Sequence, residues 1–325
     1  MRAIVRKKTG GPEVLAIEER PTPEAQNGNV VIAVKAFGLN RAETYFRSGK
    51  WPNEVDVIGI ECVGEIAADP SGRLKKGQKV AAMMGGMGRT IDGTYAEFVR
   101  VPTTNVLPIS SRLSWADLAA IPESYATSWT CLHRNLRLQP GETLLVRGAT
   151  STLGQAAINI ARHHRANVIA TTRKQERHAG LKAIGAETVL QETPNVSEQV
   201  RKLAPKGIDA VLELVGNSTL LDSMKTLRRG GRVCQAGFLG GGDPIAAFDP
   251  LSQMPSGVDF SFFGSFVFGA PEFPLDDVPL QAMIDRVEAG EYKAKPVRVF
   301  RFEEIVEAHR LLESYHANGK VVVAV

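Results

Sequence analysis

Val146-Arg147-Gly148-Ala149-Thr150-Ser151-Thr152-Leu153-Gly154 is the stretch on which the reading of the fold turns. Leu144-Leu145-Val146 leads into it as a short apolar run. Beyond it Leu153, Ala156, Ala157, Ile160 and Ala161 recur at i, i+3, i+4, i+7 and i+8, which lays one apolar stripe along a helix. A strand enters a turn of small residues and leaves it as a helix. The pyrophosphate of a dinucleotide needs this arrangement: small residues let the backbone come close, and the N–H groups of the helix start bind anionic oxygen. The G-x-G-x-x-G fingerprint is broken, because Ser151 stands where its middle glycine is expected. Gly148 and Gly154 still bracket the turn. Ser151 and Thr152 are small and carry hydroxyls able to donate to phosphate, so Gly148, Ser151, Thr152, Leu153 and Gly154 form the candidate phosphate site.

Working outward, Val168-Ile169-Ala170-Thr171 is the next strand, and its helix ends at Gly185, a suitable residue just past a helix C-terminus. Further strands are read at 188–190, 210–215 and 232–236, with Gly230-Gly231 closing the helix before the last. Five βα alternations predict a parallel, doubly wound Rossmann-type sheet. The second strand decides which dinucleotide is expected. An NAD site has an Asp or Glu closing that strand to accept from the ribose 2′-OH. Here it ends Thr171-Thr172-Arg173-Lys174, with Arg177 a helical turn further on. Three cations and no carboxylate suit a 2′-phosphate and predict NADPH, although Glu176 sits among them.

The flanks read differently. Before Pro122, compact runs such as Val30–Val34 and Val80–Met83 alternate with glycine-rich connections, which predicts a β-rich domain. Helical patterns cover Leu280–Ala289, stopped by Gly290, and Phe302 to about Tyr315; Val321-Val322-Val323 closes the chain as a strand. The 325 residues suffice for about two domains. A formal net charge of +4, with Lys and Arg scattered, gives no electrostatic case for nucleic acid or membrane. Cys62, Cys131 and Cys234 are widely separated and offer neither a disulfide framework nor a C-x-x-C pair. The N-terminus lacks the apolar core of a signal peptide, and no run of about 18 apolar residues exists. A cytoplasmic protein is expected.

The motifs together resemble one family. Gly10-Gly11-Pro12-Glu13-Val14-Leu15, Gly38-Leu39-Asn40-Arg41-Ala42-Glu43-Thr44-Tyr45, Gly59-Ile60-Glu61-Cys62-Val63-Gly64, Gly93-Thr94-Tyr95-Ala96-Glu97 and Gly319-Lys320-Val321-Val322-Val323 are similar to the quinone oxidoreductase branch of the medium-chain dehydrogenase/reductase superfamily. They span the chain in the expected order. The resemblance implies a GroES-like catalytic domain from residues 1–122 and 265–325, a Rossmann domain from 123–264, a ligand cleft between them, and a homodimer formed by edge pairing of the nucleotide domains. It also bears on zinc. The alcohol dehydrogenases of the superfamily carry Cys where Asn40 stands, His where Ile60 stands and a further Cys at Glu123. Ile60 cannot ligate and Asn40 is a poor zinc donor, so no metal is expected.

Without a Lewis acid to generate an alkoxide, the expected reaction is hydride transfer from NADPH to an electrophilic acceptor, a quinone or an α,β-unsaturated carbonyl. The resemblance implies that Asn40 orients or donates to the substrate and that Tyr45 is a donor or a wall of its slot. It places Thr127, Gly237, Phe238, Phe266 and Val267 at the cofactor, and Lys320 at a cofactor phosphate. Glu192 stands where the family often has a Tyr near the 2′-phosphate. Two other readings stay open: an alcohol or polyol dehydrogenase, which the missing ligands oppose, and a non-catalytic NADPH-binding protein with a structural or RNA-binding role. The chain has no RNA module and no basic stripe interleaved with aromatics, so a nucleic-acid partner is not expected.

Overall fold

A computed structural model describes residues 1–314 and 316–325; Tyr315, near which the last helical pattern is read to end, lies outside the described residues. Two compact units emerge, one of Met1–Glu123 with Ser265–Val325, the other of Ser124–Gly264.

The first unit opens with an antiparallel pair, β1 (Arg2–Arg6) and β2 (Leu15–Glu19). Strand β3 (Asn29–Gly38) is long and rich in valine, isoleucine and alanine, most of them buried. It runs into helix α1 (Arg41–Ser48), which Gly49 ends at φ 76°. Strands β4 (Glu61–Ala68), β5 (Lys79–Met83), β6 (Phe98–Pro102) and β7 (Val106–Pro108) follow, then helix α2 (Trp115–Leu118) and helix α3 (Pro122–Thr130), which from Ser124 onward belongs to the second unit. β3 pairs antiparallel with both β4 and β6, and β5 joins β4 to β7.

The second unit alternates strand and helix: β8 (Thr143–Arg147), α4 (Thr152–His163), β9 (Asn167–Thr172), α5 (His178–Ala183), β10 (Thr188–Gln191), α6 (Val196–Leu203), β11 (Ile208–Glu213), α7 (Asn217–Lys225), β12 (Leu227–Gln235), α8 (Pro250–Gln253) and β13 (Asp259–Phe262). The six strands are parallel in the order β10-β9-β8-β11-β12-β13. The order reverses between β8 and β11, the switch point beside which doubly wound sheets bind ligands at the carboxyl ends of their strands. Leu145, Val211 and Val233 on the strands meet Val196, Val200, Leu220 and Met224 on the helices in one buried cluster.

Two expectations are corrected here. The sheet has a sixth strand, β13, where five were read. It lies at the edge, with Phe260 and Phe262 about half exposed, so it lacks the inward alternation that marks a buried strand. Gly230-Gly231 also do not close a helix. α7 stops at Lys225, and the glycines lie inside β12, where Gly230 has φ 73°. There the pairing advances from Ile208 to Ala210 on β11 while jumping from Leu227 to Arg232 on β12, an irregularity that glycine accommodates.

The chain returns to the first unit through α9 (Leu280–Glu288), followed by Gly290 at φ 74°, and β14 (Arg298–Arg301). The helical pattern read from Phe302 divides into a 3₁₀ turn, Phe302–Glu304, and α10 (Ile305–Glu313). β15 (Val321–Ala324) then pairs parallel with β14 and antiparallel with β3, completing a seven-stranded sheet. Among the described residues no helix is long and apolar enough to cross a membrane.

Candidate functional site

In the second unit, the turn after β8 is built by its small residues. Gly148 sits at φ 83°, a conformation open to glycine and strained for other residues. A Cβ on Gly154 would lie 2.7 Å from the Ala149 Cα and 2.8 Å from the Gly148 carbonyl oxygen, so the start of α4 packs on the turn only because that side chain is absent. Gly237, just past β12, is equally confined: a Cβ there would lie 2.5 Å from the Leu214 carbonyl oxygen. Ser151 is the N-cap of α4. Its hydroxyl accepts from the Gly154 N–H (3.1 Å) and donates to the Gly148 carbonyl (2.9 Å). The expected donation to phosphate is therefore revised: in this structure the Ser151 hydroxyl shapes the turn. The first-turn amides of Thr152 and Leu153 have no carbonyl ahead of them in the helix, and they are the groups that suit an anion. Thr127 is buried on α3, and Phe238 follows Gly237 with its ring 6.0 Å from that of Phe262.

The cations gather at the end of β9. Thr172 is buried, and its hydroxyl accepts from the Lys174 N–H at 3.2 Å. Arg173 is exposed, Lys174 and Arg177 half-buried, and the Lys174 Nζ lies 3.9 Å from Glu176. This end of the sheet has the donors and charge for a dinucleotide phosphate. Sequence reasoning gave no role to Arg147, the last residue of β8. It is fully buried, and its guanidinium donates to Glu192 (2.7 and 2.9 Å), Asp222 (2.8 Å), the Ser223 hydroxyl (3.1 Å) and the Thr193 and Thr219 carbonyls. Burial alone would lower the Arg147 pKa; the carboxylates of Glu192, Glu213 and Asp222 raise it more.

In the first unit, the residues about Asn40 form a buried polar cluster. The Glu43 carboxylate takes the Asn40 backbone N–H at the start of α1, a capping box that fixes the helix entry. The Asn40 side chain donates to Glu61 Oε1 (2.9 Å) and Glu43 Oε1 (3.3 Å), while Lys320 Nζ donates to Asn40 Oδ1 (2.6 Å) and to Glu61 Oε1. Gly38 makes room for this, since a Cβ there would meet the Lys320 Cε at 2.3 Å. Burial pushes the Glu43 carboxyl up to about 8; Lys320 opposes the shift and the Glu61 charge adds to it. Two carboxylates share one ammonium out of water, and at Glu43 the cost of desolvating the charge outweighs the pull of that ammonium.

Two expectations change in consequence. Asn40 turns its amide hydrogens to carboxylates, so in this geometry it organises the cluster and has no hydrogen aimed elsewhere. Lys320 is 4% exposed and directs its ammonium to Glu61 and Asn40, not outward to a phosphate. Tyr45 is half-buried on α1, its ring 4.8 Å from that of Trp51. Phe266 and Val267 lie in the 3₁₀ turn Ser265–Val267, with Phe266 54% exposed beneath the Arg89 guanidinium at 5.0 Å. At the positions of the zinc ligands in alcohol dehydrogenases, Ile60 lends only its backbone N–H to Glu43, and the Glu123 carboxylate accepts from the Ser265 hydroxyl (3.1 Å). Among the described residues no group of three or more His, Cys, Asp or Glu side chains could hold a metal ion.

Comparison with known proteins agrees with this architecture. The profile of the alcohol dehydrogenase GroES-like domain matches residues 26–111, and that of the zinc-binding dehydrogenases matches residues 152–280. The quinone oxidoreductase of Rattus norvegicus is 31% identical over 333 residues, covering 99% of this chain and 96% of the relative. The structure of a mycobacterial protein complexed with NADPH matches over 100% of both chains with a TM-score of 0.87 and 25% identity. That of an NAD-dependent alcohol dehydrogenase does so with a TM-score of 0.85 and 28% identity, also over 100% of both chains. Fold and family matches thus define an NAD(P)-dependent oxidoreductase of the medium-chain dehydrogenase/reductase superfamily. Within it, the chain belongs to the quinone oxidoreductase family.

Proposed function

We propose that this chain transfers hydride from NADPH to a quinone or another conjugated carbonyl, an enone or enal, without zinc, as a cytoplasmic homodimer. The observation that carries the reading is the cluster Asn40–Glu43–Glu61–Lys320, with Ile60 beside it, where the alcohol dehydrogenases place metal ligands. Oxidising an alcohol requires an alkoxide, and zinc supplies the Lewis acidity for it. A quinone or enone is electrophilic already, so a hydrogen bond at its carbonyl oxygen suffices. This weighs against an alcohol dehydrogenase despite the likeness to one.

NADPH supplies the hydride when bound. The chain's own residues do the rest. The turn from Gly148 to Gly154, with the Thr152 and Leu153 amides, holds the pyrophosphate; Thr127, Gly237 and Phe238 line the cofactor site. Thr172, Arg173, Lys174 and Arg177 receive the 2′-phosphate. Tyr45 donates to the acceptor or walls its slot, and Asn40, locked by Lys320 and the two carboxylates, fixes the floor from which α1 projects. The exposed edge strand β13 is the surface for the second subunit.

The test is direct. Purified protein should oxidise NADPH when given 1,4-benzoquinone, at a rate EDTA does not change. If neither a quinone nor an enone consumes NADPH above background, the catalytic reading fails.

A further inference from the structure

Glu192 is an acid in an awkward place. It follows β10, and its N–H donates to the Thr172 carbonyl at 2.9 Å; the preceding Gln191 side chain donates to the Arg173 carbonyl at 2.9 Å. Glu192 therefore lies beside the strand end where the cations begin. A carboxylate at that end of a nucleotide-binding sheet is what selects the ribose 2′-hydroxyl over its phosphate ester. The structure gives Glu192 a different engagement. Its Oε1 accepts from both Nε and Nη2 of Arg147, its Oε2 is buried with no hydrogen-bond partner among the described residues, and its side chain is only 13% exposed.

The guanidinium that holds it has no freedom to let go. Arg147 is also bonded to Asp222, Ser223 and the carbonyls of Thr193 and Thr219. Asp222 is itself anchored by the Ser197 N–H and hydroxyl, and Glu213 by Ser223 and the N–H groups of Val215 and Gly216. Glu192, Glu213 and Asp222 are the acids that face Arg147.

We propose that Arg147 is a positioning residue for cofactor preference: by pinning Glu192 and offsetting its charge, it keeps that carboxylate from opposing the adenosine 2′-phosphate that Arg173, Lys174 and Arg177 receive. This rests on the NADPH reading above. Arg147 touches no cofactor in this scheme. It acts through Glu192, from the residue that immediately precedes the phosphate turn.

The test measures binding of adenosine 2′,5′-bisphosphate and of adenosine 5′-monophosphate by calorimetry, and takes the ratio of their Kd values. This isolates the 2′-phosphate and needs no turnover. Wild type should prefer the bisphosphate; if it does not, the NADPH reading falls and the inference with it. Given that preference, Glu192→Gln should move the ratio by less than about threefold, because the carboxylate removed is already held against the Arg147 guanidinium. Arg147→Met should cut the preference by about tenfold or more, and Arg147→Met/Glu192→Gln should restore it to within about threefold of wild type. Should Arg147→Met not fold, Arg147→Met/Asp222→Asn removes one charge of each sign and reads the same quantity. A preference left intact without Arg147, no restoration in the double variant, or a tenfold gain in Glu192→Gln with Arg147 in place would each overturn the inference while leaving the NADPH reading standing.

Discussion

Asn40 and Lys320 show how far a side chain's identity is from its role. Both belong to motifs legible in the sequence, and both were expected to reach substrate or cofactor. Burial redirects them: an ammonium and an amide held out of water need acceptors for their hydrogens, which Glu43 and Glu61 supply to the amide and Glu61 and the Asn40 Oδ1 to the ammonium. Breaking such a pair on one side strands a charge. Lys320→Met should therefore cost about 3–5 kcal/mol in urea unfolding, while Lys320→Met/Glu61→Gln recovers most of it. If the double variant is as unstable as the single one, the ammonium–carboxylate pairing is not what matters. Arg173 and Arg177 lie at the other extreme, one exposed and one half-buried, just past the end of β9, where the 2′-phosphate is proposed to sit. Arg173→Ala/Arg177→Ala should raise the KM for NADPH by about tenfold or more and that for NADH by less than about threefold; an unchanged ratio would remove the 2′-phosphate assignment.

Among the elements, strand β8, the small-residue turn after it and helix α4 were legible because periodicity, small residues and the N-cap agree locally. The bulged β12 and the edge strand β13 were not. One breaks its register at Gly230-Gly231 and the other has no buried face to pattern. Contacts between distant elements were silent too. α1 and α10 are joined by His309, whose Nδ1 accepts from the Arg47 Nε (3.3 Å) and whose Nε2 meets the Tyr95 hydroxyl (2.9 Å). Arg47 also bonds Glu313 and the Gly10 carbonyl. Burial, with the Arg47 charge adding to it, pushes the His309 pKa down from 6.5 to about 3. Between those values the unfolded chain binds a proton that the folded one refuses, so this contribution is complete above about pH 6.5 and is lost as pH falls toward 3. His309→Gln cannot titrate. Its stability deficit relative to wild type should shrink by about 2–3 kcal/mol from pH 6.5 to pH 4.5, measured by urea unfolding at each pH. A deficit constant across that range would show that the histidine is not held neutral.

For the whole molecule, the proposed homodimer makes β13 the decisive surface. Phe260 and Phe262 occupy the same face of this edge strand and are 43% and 50% exposed, so Phe260→Asp/Phe262→Asp should convert a species of twice the chain mass to a single chain in light scattering, with urea stability nearly unchanged. A wild-type single chain at micromolar concentration would end the proposal. The sequence by itself determined the doubly wound sheet, the family, the small-residue turn after β8, the cations that follow β9, and the presence of Asn40 and Ile60 at their positions. These are properties of periodicity, glycine placement and residue identity, which act over a few neighbouring positions or are fixed outright. Only the tertiary structure decided that Ser151 caps α4, that Lys320 turns inward to Glu61, and that Arg147 holds Glu192. A buried polar atom must find its partner wherever the folded chain brings one within about 3 Å, and those partners lie as many as 280 residues away along the sequence.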